Sequence, residues 1–451
     1  VTAEATQSAA PGPPATPQAA DGGRPLRIAL LTYKGNPYCG GQGVYVRHLS
    51  RELAGLGHTV EVIGAQPYPV LDRDAHPGRV IFTPLPSLDL YRQPDPFRTP
   101  SRGEYRDWID GLEVATMWTG GFPEPLTFSL RARRHLAARR GEFDVIHDNQ
   151  TLGYGLLDRA RIGAPLVTTI HHPITVDRQL DLDAATTRSR RASVRRWYGF
   201  TRMQKRVARR LPAVLTVSGS SRQEIVDHLG VPEDRIHVVH IGADTRRFAP
   251  DPAVAEVPGR IVTTSSADVP LKGLVHLVEA LAKLRTQYPE AHLVVVGKRT
   301  EDGPVAAALE RHSLEGAVRF VKGISDTELA GLVRSAQIAC VPSLYEGFSL
   351  PAAEAMATGT ALVATTGGAI PEVAGTDGET CLAVPPGDAE ALAAALGRLL
   401  DPATGPELRR RLGRAGRERV LSRFTWEQAA RGTVAQYRRA IERQTGAVRT
   451  A

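Results

Sequence analysis

Ile338-Ala-Cys-Val-Pro-Ser-Leu-Tyr-Glu346-Gly-Phe-Ser-Leu-Pro351-Ala-Ala-Glu354-Ala-Met-Ala-Thr-Gly359 is the stretch that decides how this chain folds. Ile338 to Leu344 is an apolar run of buried-strand length. Tyr345 to Leu350 reads as a loop. Pro351 opens a helix at a position where its missing N–H costs nothing, and Gly359 closes it. Thr360 to Thr365 is the next strand. Strand, helix and strand predict a βαβ unit of a parallel sheet, which takes ligands beyond the carboxyl ends of its strands.

The loop places the free N–H groups of Phe348, Ser349 and Leu350 at a helix N-terminus, which suits a phosphate or diphosphate. Two carboxylates flank it: Glu346 on the loop and Glu354 one turn into the helix. Neither binds a phosphate, but each accepts hydrogen bonds from a vicinal diol such as a ribose or a hexose. A phosphate cradle between two diol-binding groups points to a nucleotide-sugar.

Glu346 and Glu354, with seven residues between them in Glu-Gly-Phe-Ser-Leu-Pro-Ala-Ala-Glu-Ala-Met-Ala, resemble the signature of the retaining glycosyltransferases of family 4. Gly367-Gly368-Ala-Ile-Pro371-Glu372-Val adds to the likeness, which covers nearly all of 26–441 and is weakest over 65–140. It implies an α/β fold of the GT-B type: two Rossmann-like domains face each other across a cleft, and a C-terminal helix crosses back to the first. The expected division is a disordered tail 1–23, an acceptor-side domain 24–245, a nucleotide-sugar domain 246–424 and a returning helix 425–445.

By that resemblance Glu346 holds the donor hexose, Glu354 the ribose, and Lys272 with Gly273 the diphosphate. Gly40 and Gly41 approach the diphosphate from the opposite domain. His171, at a strand end followed by His172 and Pro173, reaches the donor sugar. The backbone of Gly323 and Ile324 holds the nucleobase, and Gly347, Phe348, Ser349 and Leu350 form the phosphate turn. One departure stands out. Where the family has arginine ahead of Lys-Gly this chain has Ala267, so a diphosphate cation is missing unless Arg299 or another arginine replaces it. Lysine binds phosphate as a point charge, without the bidentate fork.

At 451 residues the chain has room for two or three domains. Its apolar fraction is that of a globular protein, and no run of about 18 apolar residues is present to span a bilayer. Residues 1–23 are mostly Ala, Pro, Thr, Gln and Gly, without periodicity or a signal-peptide core, hence the expected tail. Cys39, Cys340 and Cys381 have no metal-ligand spacing, so no metal is expected, and a reduced cytoplasmic compartment follows. No cofactor is expected beyond the nucleoside diphosphate sugar as co-substrate.

Net charge is +8, and only six residues are lysine, so arginine carries the basic excess. It concentrates in 188–210, where Trp197, Tyr198 and Phe200 interleave with arginines and no acid occurs. That pattern fits an anionic membrane surface; no nucleic-acid module is readable. Residues 65–125 are rich in Pro and aromatics with one helix expected near Tyr105 to Met117. They read equally as an acceptor pocket or as an ordinary insertion.

The combined expectation is a retaining glycosyltransferase that moves a hexose from a UDP- or GDP-linked donor to an acceptor hydroxyl. The acceptor is open, with lipid-linked and cell-envelope glycan precursors among the candidates. The alternatives are a sugar-nucleotide epimerase of the same fold and a catalytically silent sugar-nucleotide-binding protein.

Overall fold

The computed structural model describes residues 19–20, 22–35, 41–92, 94–265 and 269–449, the last three without their side chains. Cys39, Gly40 and Ala267 lie outside the described residues.

Strand and helix alternate along the chain, which builds two parallel sheets. The first has seven strands: β1 (Arg27–Thr32), β2 (Thr59–Gly64), β3 (Val80–Pro84), β4 (Val145–Asn149), β5 (Leu166–Thr169), β6 (Val214–Thr216) and β7 (Ile236–Val238), in the order β3-β2-β1-β4-β5-β6-β7. The second has six: β8 (Val257–Thr264), β9 (His292–Val296), β10 (Val318–Val321), β11 (Ala336–Val341), β12 (Ala361–Thr365) and β13 (Leu382–Val384), in the order β10-β9-β8-β11-β12-β13. Both orders reverse beside their first strand, between β1 and β4 and between β8 and β11. Ligands bind outside such switch points. The strands read as apolar runs because helices cover both faces; β12, for example, is buried along its whole length.

β11 stops at Val341, three residues before the expected end. Pro342 has no N–H to donate to a ladder, and the chain leaves the sheet there. The helix Leu350–Ala357 carries Pro351 in its first turn, as the sequence predicts.

The last helix, Trp426–Arg449, returns to the first sheet. Trp426, Val434 and Tyr437 are buried in a core that also holds Leu49, Leu53 and Val145 of the first domain and Phe348 and Met356 of the second. One apolar cluster therefore runs through both halves. Where the chain passes between them, the Ala243 amide donates to the Phe424 carbonyl at 3.0 Å.

The structure shortens one expected segment and adds detail to two others. The tail 1–23 is too long: Ala19 is buried and the Ala20 amide donates to the Leu56 carbonyl at 2.9 Å, because an alanine fits against Gly57. The stretch 65–125 holds more order than one helix near Tyr105–Met117. Trp108–Trp118 is helical, started by the Asp107 carboxylate on the Ile109 amide at 2.8 Å, and Glu124–Ala138 follows. The segment 188–210 is two helices, Arg188–Trp197 and Thr201–Ala208, joined by a tight turn. Met203 and Val207 are buried, and Trp197 lies 5.1 Å from the Phe122 ring. Its larger aliphatic side chains are buried and Trp197 and Phe200 are half-buried against the core, leaving arginine outside. No helix among the described residues is long and apolar enough to cross a membrane.

Candidate functional site

The loop after β11 sits at the switch point of the second sheet, and neighbouring backbone presses on it from two sides. A Cβ on Gly273 would stand 2.0 Å from the Pro342 carbonyl oxygen, and one on Gly368 would stand 2.5 Å from that of Glu346. Both glycines have positive φ, +63° and +59°, so their identity follows from contact and conformation together. The Ala369 amide donates to the Glu346 carbonyl at 2.8 Å. The Thr365 hydroxyl donates to the Ser343 carbonyl.

This packing presents Glu346 to Lys272. Lys272 Nζ lies 2.7 Å from Glu346 Oε1, and the Ser343 hydroxyl donates to the same oxygen at 2.8 Å. Lys272 ends a short turn, Pro270–Lys272, at the carboxyl side of β8. Arg299 is committed elsewhere, with both its terminal nitrogens on the Glu315 carboxylate at 2.8 Å.

Ser349 has φ +87°, a left-handed conformation costly for a residue with a side chain. Its hydroxyl oxygen is buried without a hydrogen-bond partner, and the amides of Phe348, Ser349 and Leu350 meet no acceptor among the described residues. Strain beside unpaired donors at a helix start is a site waiting for an acceptor-rich group. The Phe348 side chain points the other way, into the core, 5.7 Å from the Phe424 ring.

Glu354 lines a small enclosed cavity between the halves with Arg47, His48, Asp244, Arg247 and Asp326. Burial, then the charges of Asp326 and Asp244, push its carboxyl up to about 8. Arg247 bonds Asp326 at 2.6 Å, and Arg47 bonds Asp72 at 2.8 Å.

His171 follows β5. Its Nε2 lies 2.8 Å from Asn149 Oδ1, and its amide donates to Gln150 Oε1 at 2.6 Å. An amide oxygen only accepts, so Nε2 carries the proton and Nδ1 is left as an acceptor. Burial, and to a lesser degree His172, push the ring down to about 3, so it is neutral. The Tyr45 ring meets it edge-on at 4.7 Å. His172 pairs instead with Asp177 at 3.0 Å.

The two halves meet at Gly347. Its carbonyl accepts from Ser218 Oγ at 2.7 Å and Ser221 Oγ at 3.2 Å, and a Cβ there would lie 3.5 Å from the His171 carbonyl oxygen. The structure thus brings Glu346, Lys272, Gly347, Ser349 and His171 into one neighbourhood. Gly41 starts the helix Gly41–Gly55 with open space where a Cβ would be. Gly323 has φ +68° beyond β10, two strands from the switch point, with half-buried Ile324 next to it. Sequence reasoning missed Ser343, Ser218, Ser221 and Glu372. Ser218 carries a helix-cap signal, but nothing local says that it faces the other domain.

Known proteins match this chain along nearly all its length. The family model described as Glycosyltransferase Family 4 matches residues 39–247, and that described as Glycosyl transferases group 1 matches 249–419. The MMP α-(1→4)-mannosyltransferase of Mycolicibacterium hassiacum is 53% identical over 418 residues, 93% of this chain and 99% of the relative. The D-inositol 3-phosphate glycosyltransferase of Kribbella flavida is 30% identical over 452 residues, 93% of this chain and 97% of the relative. Among solved structures, the HepE protein of Anabaena in complex with UDP and glucose matches with a TM-score of 0.66 at 16% identity, over 91% of this chain and 99% of that one.

Proposed function

The chain belongs to glycosyltransferase family 4 and is a glycosyltransferase of the GT-B fold; from that premise we propose that it transfers mannose from a nucleoside diphosphate sugar to an acceptor hydroxyl with retention of configuration. The strained turn at Ser349 carries this reading. Three free amides and an orphaned buried hydroxyl, beside the Lys272–Glu346 pair, fit a diphosphate with a sugar attached.

The chemistry follows from charge. The anomeric carbon–oxygen bond to the β-phosphate breaks while the acceptor oxygen bonds to the same face of the sugar. Negative charge builds on the departing phosphate, and fixed donors in a dry cleft stabilise it without reorganising. Lys272 and the amides of 348–350 are those donors; the family resemblance assigns the other side of the diphosphate to Gly40 and Gly41. The acceptor's proton passes to the departing phosphate oxygen, so no dedicated base is required. Glu346 orients the hexose, the Nδ1 of His171 accepts from a donor-sugar hydroxyl, and Glu354 accepts from the ribose. Gly323 and Ile324 border the nucleobase, and no cofactor enters.

Mannose as the sugar, and an α-(1→4) bond as the product, are supported by the name of the relative at 53% identity; the UDP in the HepE complex supports a nucleotide donor. Cys340 and Cys381 are buried free thiols, which supports a reducing compartment. An anionic surface contact through 188–210 rests in this reading on arginine charge alone. The test is incubation of the protein with UDP- and GDP-hexoses and a mannose-terminated oligosaccharide. We expect a lengthened oligosaccharide whose new bond is α by NMR, with nucleoside diphosphate released. Failure to bind any nucleoside diphosphate sugar rejects the reading.

A further inference from the structure

Glu372 belongs to the Gly367–Val373 motif, and the donor site described above gives it no role. Its Oε2 accepts from the Gly219 amide and its Oε1 from the Ser220 amide, both at 2.8 Å. Those amides open the helix Gly219–Glu224 in the other domain. Amides at a helix start lack intrahelical partners, and a carboxylate across two of them makes two charge-assisted bonds. Behind Glu372 the backbone is fixed: Arg419 donates to the Glu372 and Val373 carbonyls, each at 2.8 Å. Ala369, three residues before Glu372, donates to the Glu346 carbonyl.

The donor turn is tied to the same helix. Both hydroxyls on the Gly347 carbonyl, those of Ser218 and Ser221, come from the opposite domain, and no group of its own domain bonds that carbonyl among the described residues. Tyr345 joins them, its hydroxyl 3.4 Å from Ser220 Oγ. One helix start therefore grips the site at two points: the front of the donor turn and the motif that backs it.

We propose that Glu372, with Ser218 and Ser221, positions the donor for transfer by clasping the Glu346–Ser349 turn to the acceptor-side domain, so that the hexose held at that turn lines up with the acceptor only when the two halves are shut. This rests on the donor binding at that turn. Glu372 touches no reacting atom in this scheme; it acts through Gly347 and Glu346. A donor bound to an unclasped enzyme has its phosphate held but its hexose unaligned with the acceptor, so binding and turnover separate.

Three Glu372 variants and one serine variant test this. In Glu372→Ala we expect kcat to fall at least about tenfold while the donor Kd by calorimetry stays within about threefold. Glu372→Gln keeps one accepting oxygen and sets an NH2 against the second amide, so it falls between wild type and Ala. Glu372→Asp, one methylene short, tracks Ala more closely than Gln does. Ser221→Ala lowers kcat in the same direction without touching Glu372. Small-angle scattering of the unliganded proteins should show a larger radius of gyration in Glu372→Ala than in wild type. Wild-type kcat in Glu372→Ala, or a loss of kcat with unchanged scattering, overturns the proposal. Equal losses of kcat and thermal midpoint across all four variants, without the Glu–Gln–Ala order, overturn it too. A wild-type protein that binds no nucleoside diphosphate sugar removes the functional reading instead, and the scattering comparison then still judges the clasp.

Discussion

The Tyr437 hydroxyl lies 2.6 Å from His147 Nδ1, joining the returning helix to the middle of β4. The bond continues a string: His147 Nε2 is 2.7 Å from Thr169 Oγ1, which is 3.0 Å from the Tyr45 hydroxyl, and the Tyr45 ring meets His171. All of it is buried, and burial pushes His147 down to about 3, so the ring bonds as a neutral group. Tyr437→Phe leaves Nδ1 unpaired in the core. We expect a loss of about 1–3 kcal/mol in denaturant unfolding, with transfer activity reduced less than stability.

Lys272 and Glu346 pair at 2.7 Å, and the proposed mechanism gives each a separate part in transfer. Lys272→Ala removes a fixed cation from the leaving phosphate and should lower kcat by about 10²–10³-fold, as loss of one transition-state donor does. Glu346→Ala should lower kcat as strongly, because the hexose loses its anchor. Circular dichroism and the thermal midpoint should stay near wild type in both, since each side chain sits at the cleft edge, not in the core. Undiminished transfer in both variants would displace the site from this loop.

Glu354 carries the pH dependence. In the proposed donor pose it accepts, ionised, from the ribose diol; without donor its carboxyl sits up at about 8. Donor binding must therefore expel a proton below that pH, and affinity should tighten from pH 6 to 8 and level off above. Calorimetry in two buffers of different ionisation heat reads the proton, and Glu354→Gln should flatten the profile. Arg47, Arg247, Asp244, Asp326 and His48 face the same cavity. His48 is held down at about 4 by burial, so it stays neutral across this window. In the unliganded protein the raised carboxyl favours the fold below its unfolded pKa of about 4.3, and that contribution is lost as pH rises towards 8.

The arginines of 188–210 should bind anionic vesicles weakly and through charge alone. Cosedimentation should fall away as salt rises from about 0.05 to 0.3 M, where screening shortens to a few ångströms. Trp197 is packed against Tyr91 and Phe122, so its fluorescence should not shift on binding. A blue shift, or binding that survives salt, would show insertion.

What the sequence made legible was local. The run from Ile338 to Gly359 announces strand, turn and helix because each signal lies within a few residues of the next. The family resemblance assigns the sugar contact to His171 and not to His172; in the structure His171 bonds Asn149 and His172 bonds Asp177. Facing was not legible. Interleaved Trp197 and Phe200 suggested a surface, yet they complete the core under residues 91–122, since periodicity does not say which partner fills an apolar face. Glu372 lies some 150 residues from Ser220 and its contact needs both domains folded. The raised pKa of Glu354 likewise comes from burial between the halves and then from the charges of Asp326 and Asp244, which no spacing relates to it.

The crossing at Ala243 and Thr425 has a mechanical consequence. The chain goes over at one and comes back at the other, and the two run side by side as a short parallel bridge. A Cβ on Gly242 would stand 2.3 Å from the Thr425 carbonyl carbon, so no larger residue separates them. Two tethers fused at one place behave as a single pivot. The expected relative motion of the domains is then rotation about that axis rather than sliding past one another.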